Sequence, residues 1–356
     1  MRLRRPRRGS APQPEPALLY RWDLDKTYLR SDFDSLRSLL RTAFEKAEDK
    51  VDVPGVAELI RSLKSAAERR GRAVTVQFIS ASPPQIGNAI RKKLALDGVP
   101  YDGIVFKDQL SNLKRGKLRN LREHVGFKLA ELLRGRVDVP GDAREVLFGD
   151  DWESDSLIYS LYADVIAGRL AVDRLTPVLQ RIRVDPHLVE SIVALAGRAV
   201  VGDFVVRIFI NLERRSPPGV FRLFGPRVVP TFNYFQTAAV LAVDGYLDAE
   251  DAARVGRALL DAAGYTPRRL ANSLADLVRR AHLAPAAAEA LATPLRAAGV
   301  LPAAAAHASR WQHALGALRR LRRRARAAAE PGASVAPLDY DAILDRLAAR
   351  DAATAV

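Results

Sequence analysis

Leu18-Leu19-Tyr20-Arg21-Trp22-Asp23-Leu24-Asp25-Lys26-Thr27 is the stretch on which the reading of this chain turns. A short, mainly apolar run ends in two carboxylates two residues apart, followed by a threonine. Side chains alternate along a strand, so positions i and i+2 share a face. Asp23 and Asp25 are therefore expected to project together from one strand end. Two acids at the carboxyl end of a strand suit a divalent cation and a phosphorylated substrate.

Outward from that stretch, apolar runs of strand length alternate with runs of helical spacing. Val74-Thr75-Val76-Gln77-Phe78-Ile79 is β-branched and apolar, and it ends at Ser80-Ala81-Ser82-Pro83-Pro84. Gly103-Ile104-Val105-Phe106 and Glu145-Val146-Leu147-Phe148 read as further strands, the second ending at Gly149-Asp150-Asp151. A last strand is expected near Val165-Ile166. Helical spacing recurs at Phe33, Leu36, Leu40 and Phe44, then at Val56, Leu59, Ile60 and Leu63, after Pro54-Gly55. It recurs again at Ile86, Ile90 and Leu94, and along the long leucine-marked stretch from Leu113 to Leu133. The alternation predicts an α/β fold with a doubly wound parallel sheet. In such sheets ligands lie beyond the carboxyl ends of the strands. Asp23, Asp25, Ser80, Asp150 and Asp151 all fall at such ends, which argues for one shared site.

Past about residue 170 the chain turns Ala- and Leu-rich and helical, with room for short strands at 205–212 and 228–229. The expected organisation is a flexible basic arm over 1–16, a catalytic unit over 17–175 and a mainly helical region over 176–356. The sequence VDVPG, at 51–55 and 137–141, has unrelated flanks and reads as two similar loops.

Composition excludes several classes. With 48% apolar and 27% charged residues in 356, the chain has the makeup of a folded protein with a sizeable core. The absence of cysteine excludes disulfides, thiolate catalysis and zinc–thiolate sites and is compatible with a cytoplasmic setting. The formal net charge of +15 is concentrated: five arginines between Arg2 and Arg8 and six between Arg319 and Arg326 account for all but +4 of it. Such clusters favour a polyanionic surface, anionic lipid or nucleic acid, although no aromatic-interleaved RNA motif accompanies them. From Ser309, Trp311, Leu315, Leu318 and Ala325 form an apolar stripe beside the second cluster. A helix of this kind can lie in a lipid headgroup interface. No apolar run reaches the roughly 18 residues of a membrane span; the nearest, at 192–210, is broken by Arg198, Asp203 and Arg207. The arginine-rich start leads into Pro6, Pro12, Pro14 and Pro16 rather than an apolar segment, unlike a secretory signal.

The DxDxT pattern at Asp23, Asp25 and Thr27 resembles the first signature of the haloacid dehalogenase (HAD) phosphohydrolases, in which the first Asp is the nucleophile and the second the general acid/base. Four segments sharpen the resemblance: DLDKT at 23–27, VPGVAEL at 53–59, ISASPPQI at 79–86 and FGDDWESDSLIY at 148–159. In order and spacing they resemble the phosphatidate phosphatase catalytic domain of the actin-patch type, related at the site to lipins. The resemblance spans about residues 18–170. It implies a phosphomonoester hydrolase with Asp23 forming an aspartyl-phosphate and Asp25 protonating the leaving group and then activating water. Magnesium would be held by Asp23, the Asp25 carbonyl and Asp150, with Asp155 either a ligand or a support behind the ligands. Thr27, Ser80 and Ser82 would bind the phosphoryl group. A lysine is needed to offset the like charges; Lys128 is preferred to Lys114 and Lys117.

Lys26 stands where that family usually has a third acid, Pro84 where it has Trp, and Asp151-Trp152 where it has Ser-Gly. These departures flank the site and bear on substrate identity more than on reaction class. The expected substrate is a lipid phosphate such as phosphatidate, met in the cytoplasm or peripherally at a membrane. A phosphatase for a soluble or nucleic-acid phosphate and a catalytically silent phosphate- or lipid-binding module are the alternatives.

Overall fold

The sheet is built from six short strands that the apolar runs supply, and the computed structural model places all of them parallel. It describes residues 15–25, 27–29, 53–107, 117–152, 154–262, 264–303 and 337–354. The helix expected at 32–50, the basic arm up to residue 14 and the arginine-rich segment at 309–326 lie outside the described residues.

In chain order the strands are β1 (Leu18–Asp23), β2 (Val74–Ser80), β3 (Gly103–Phe106), β4 (Arg144–Asp150), β5 (Val205–Asn211) and β6 (Val228–Thr231). The described helices are α1 (Val56–Arg69), α2 (Gly87–Leu96), α3 (Lys117–Val137), α4 (Asp155–Ile166), α5 (Val172–Ile182), α6 (Pro186–Ala196), α7 (Tyr234–Val243), α8 (Ala249–Ala262), α9 (Pro267–Arg279), α10 (Pro285–Ala297) and α11 (Tyr340–Thr354). The sheet order is β3-β2-β1-β4-β5-β6. The chain thus winds outward from β1 to β3, then returns to place β4 on the other side of β1. A crevice opens at such a reversal, beyond the carboxyl ends of the two central strands. Those ends are Asp23 and Asp150.

Helices cover both faces, so the central strands are buried on both sides rather than alternating between core and solvent. Every residue of β1 is buried. One face carries Tyr20, Trp22, Phe78, Phe148 and Phe209 against α1, α2 and α7–α10. Trp22 stacks on Phe148 with ring centroids 3.7 Å apart, and Phe148 stacks on Phe209 at 5.5 Å. The other face carries Ile79, Leu147, Ile208 and Ile210 against α3–α6. Gly55, at the start of α1, has φ +83°, and a Cβ there would meet Leu259 Cδ1 at 2.4 Å. Only glycine meets both demands.

Two differences from the sequence reading stand out. The strand expected near Val165-Ile166 is instead the last turn of α4, whose twelve residues are all buried. A helix buried on every side loses the 3.6-residue polar rhythm and imitates a strand over four or five positions. The short strands for which the sequence leaves room at 205–212 and 228–229 do form, as β5 and β6; the second difference is that they join the same sheet beside β4.

Candidate active site

The site grows from the switch point. β1 ends at Asp23, and the chain turns at once: Tyr28 N–H and Leu29 N–H both donate to the Leu24 carbonyl, at 3.0 and 3.1 Å. Asp25 therefore sits past the strand, inside this turn, and the two acids do not share a strand face as their spacing suggests. The hydroxyl of Tyr234, from α7, donates to the Thr27 carbonyl at 2.6 Å and ties the turn to the far half of the chain.

The eight residues singled out from the sequence are all buried, and the structure brings them together in two linked groups. In the first, Lys128 reaches from α3 to Asp23 Oδ1 at 2.6 Å and to Asp155 Oδ1 at 2.7 Å. Asp155, in the first turn of α4, turns its other oxygen back to accept from the Asp150 N–H at 3.1 Å. The Thr27 hydroxyl stands between Asp23 Oδ2 at 3.3 Å and Asp150 Oδ2 at 3.4 Å. Asp150 Oδ1 accepts from Trp152 N–H at 2.6 Å. In the second group, Asp25 Oδ2 accepts from the Ser80 hydroxyl at 3.0 Å and from the Ser82 hydroxyl at 2.9 Å. Ser82 N–H in turn donates to Ser80 Oγ at 3.1 Å, which fixes the hydroxyl's direction. The sequence suggests these serines as phosphate donors; here they hold and orient Asp25.

The negative charge is felt nearby. Burial first, then the Asp155 carboxylate, push the Tyr159 phenol well above its ordinary value. Burial and the charges of Asp150 and Asp23 do the same to Tyr234. Both phenols stay neutral, and the Tyr159 hydroxyl donates to the Phe148 carbonyl at 3.2 Å.

Asp23, Asp150 and Asp155 each offer a carboxylate oxygen within 4.8 Å of the others. The donors are all oxygen and all anionic, a set that suits a hard cation such as magnesium. The Asp25 carboxylate is not in this triad.

Residues 22–172 match the family model described as "Phosphatidate phosphatase APP1, catalytic domain". This segment is similar to that catalytic domain. It is a phosphatase domain, and the acids that the family resemblance singles out are those gathered at the β1/β4 switch point. No curated protein and no solved structure compared with the chain matches it.

Three features beside the eight residues are seen only in the structure. Asp151, which departs from the family pattern, is buried and accepts from Arg214 N–H and Ser216 N–H, both at 2.8 Å. It thereby fixes the loop after β5 against the loop after β4. Tyr234 comes from the segment beyond the family match and is recognisable only through the hydrogen bond described above. A cleft of about 340 Å³ at the end of β6, lined by Phe232, Tyr265 and Arg269 among others, holds none of the eight residues. Among the described residues, no helix is long and apolar enough to cross a membrane.

Proposed function

We propose that this domain hydrolyses a phosphate monoester through phosphorylation of Asp23, with magnesium as cofactor and a lipid phosphate of the phosphatidate kind as substrate. The observation that carries the reading is the buried triad of Asp23, Asp150 and Asp155 with Lys128 bonded to two of its members. A structural ion pair needs one carboxylate per ammonium; three acids at a sheet switch point suit a cation and an oxyanion arriving together.

With Asp23 Oδ1 on Lys128, Oδ2 is the oxygen that attacks phosphorus. The bond to the substrate's ester oxygen breaks, and Asp25 gives that oxygen its proton. Asp25, now a carboxylate oriented by Ser80 and Ser82, takes a proton from water, whose oxygen attacks the acyl phosphate. Inorganic phosphate leaves and Asp23 is regenerated. Lys128 keeps Asp23 ionised and offsets the charge gathering on the phosphoryl oxygens. Asp150 and Asp23, with the Asp25 carbonyl, would hold magnesium, with Asp155 as a further ligand or as their support. When bound, the ion neutralises phosphoryl charge that the acids would otherwise repel. Thr27, between Asp23 and Asp150, is placed to donate to a phosphoryl oxygen. The nucleophile and acid–base groups all belong to 17–175, with the later segment completing the sheet. Encounter with substrate at an anionic lipid surface is part of the same proposal and follows from the substrate class.

The test is release of phosphate from phosphatidate, lysophosphatidate and nucleotides, with magnesium and with excess chelator, for wild type and for Asp23→Asn. The expected result is release that requires magnesium, is greatest on the lipids and is lost in Asp23→Asn. Full activity in chelator, or Asp23→Asn within about tenfold of wild type, which is about 1.4 kcal/mol of barrier, would overturn the mechanism.

A further inference from the structure

Asn211 ends β5, is 4% exposed, and its side-chain amide nitrogen meets no hydrogen-bond acceptor among the described residues. The β4/β5 register sets Asn211 directly opposite Asp150. Two residues earlier, Phe209 and Phe148 are likewise opposite each other, and their rings stack. Because strands alternate, Asn211 and Asp150 project on the face that carries those rings, on backbones about 5 Å apart. The next member of the row, Thr231 on β6, has its hydroxyl bonded to that of Thr237 at 3.2 Å. Among the described residues, the Asn211 amide nitrogen has no such partner.

Buried polar groups in folded proteins are nearly always paired, and an exception needs a reason. Here the surroundings supply one. Asp150, Asp23 and Asp155 are carboxylates, which as anions only accept hydrogen bonds. An oxyanion entering their midst needs donors, and the amide provides one without the charge that would compete with a cation.

We propose that Asn211 donates from Nδ2 to a phosphoryl oxygen of the monoester bound at Asp23. β5, which lies beyond the matched segment 22–172, thereby becomes part of the phosphate subsite. The inference rests on the phosphatase reading above and assigns to the later segment a contact with substrate.

The experiment is calorimetric titration of the full chain with inorganic phosphate in magnesium buffer, for wild type, Asn211→Leu and Asn211→Ala. Leucine keeps the shape and removes the donor; alanine serves if the leucine variant does not fold. Phosphate affinity is expected to fall about tenfold or more, as for loss of a hydrogen bond to a charged group. The unfolding temperature should equal or exceed that of wild type, and magnesium affinity without phosphate should be unchanged. Unchanged phosphate affinity overturns the inference and leaves the phosphatase reading standing. A loss confined to magnesium affinity, or one that tracks a fall in unfolding temperature, also overturns it, in favour of a ligand or a packing role. A wild type that neither binds phosphate nor hydrolyses a monoester removes the phosphatase reading and this inference with it.

Discussion

The Asp155 carboxylate lies against the α-carbon of Gly149, so close that a methyl group on Gly149 would sit 2.3 Å from Asp155 Oδ2 and 2.6 Å from its Cβ. Gly149 is therefore what lets the first turn of α4 approach the end of β4. That approach places Asp155 on Lys128 and on the Asp150 N–H. Gly149→Ala is expected to displace Asp155, costing about 1–3 kcal/mol as in overpacked cores. A displacement of about 1 Å in the supporting groups should lower kcat/KM about a hundredfold. Urea unfolding and steady-state kinetics check both; activity within threefold of wild type would show that Asp155 is not a positioning group.

Lys128 is buried between Asp23 and Asp155, so deleting its charge strands both acids. Lys128→Met keeps the length of the side chain and should cost about 3–5 kcal/mol, the usual penalty for breaking a buried pair. A divalent cation can replace the missing charge. Magnesium should therefore raise the unfolding temperature of Lys128→Met more than that of wild type, through binding linkage. Equal shifts in thermal denaturation would mean that lysine and metal do not share these carboxylates.

How much of this was readable beforehand differs residue by residue, for physical reasons. The acids at Asp23 and Asp150 stood out because β-branched and aromatic runs mark strand ends sharply. The turn that carries Asp25 away from β1 left no mark, since its two hydrogen bonds converge on the backbone carbonyl of Leu24. Lys128 could be placed on a helix but not aimed, because helix facing depends on how α3 packs. Val165 and Ile166 misled because α4 is buried all round. Asn211 was invisible: its significance lies in the β4/β5 register, and one polar residue ending an apolar run specifies no neighbour.

A second buried charge network should respond differently from the site. Glu145, on β4, pairs with Arg21 Nε at 3.0 Å and Arg136 at 3.0 Å, and accepts from the Tyr162 hydroxyl at 2.8 and 2.9 Å. Burial lowers the proton affinity of Arg21, but Glu145, followed by Tyr162 and Tyr159, more than restores it, so the guanidinium stays charged. Glu145→Gln leaves two buried cations facing a neutral group and should cost about 3–5 kcal/mol. Tyr162→Phe removes one neutral donor and should cost about 1 kcal/mol. Neither should alter magnesium dependence in the folded protein. A Glu145→Gln protein as stable as wild type in guanidinium would show that the network is dispensable.

His282 gives the fold a pH dependence of its own. Burial, then the positive charges of Arg280 and Arg207, push its imidazole from the ordinary 6.5 down to about 4. The unfolded chain therefore takes up a proton near pH 6.5 that the folded chain refuses until about pH 4. Its stabilising neutral form is fully present above pH 6.5, and that contribution is lost progressively as pH falls toward 4. The sign is the reverse of a histidine that gains an acidic partner. Over the whole window the loss amounts to about 3.5 kcal/mol at most, from about 1.4 kcal/mol per pH unit. His282→Gln removes the titrating group, so its urea-unfolding free energy should fall less steeply than wild type between pH 6.5 and 4. Below about pH 5 the two proteins should converge in stability or change order. Parallel stability profiles across that window would show that His282 takes up its proton as readily folded as unfolded.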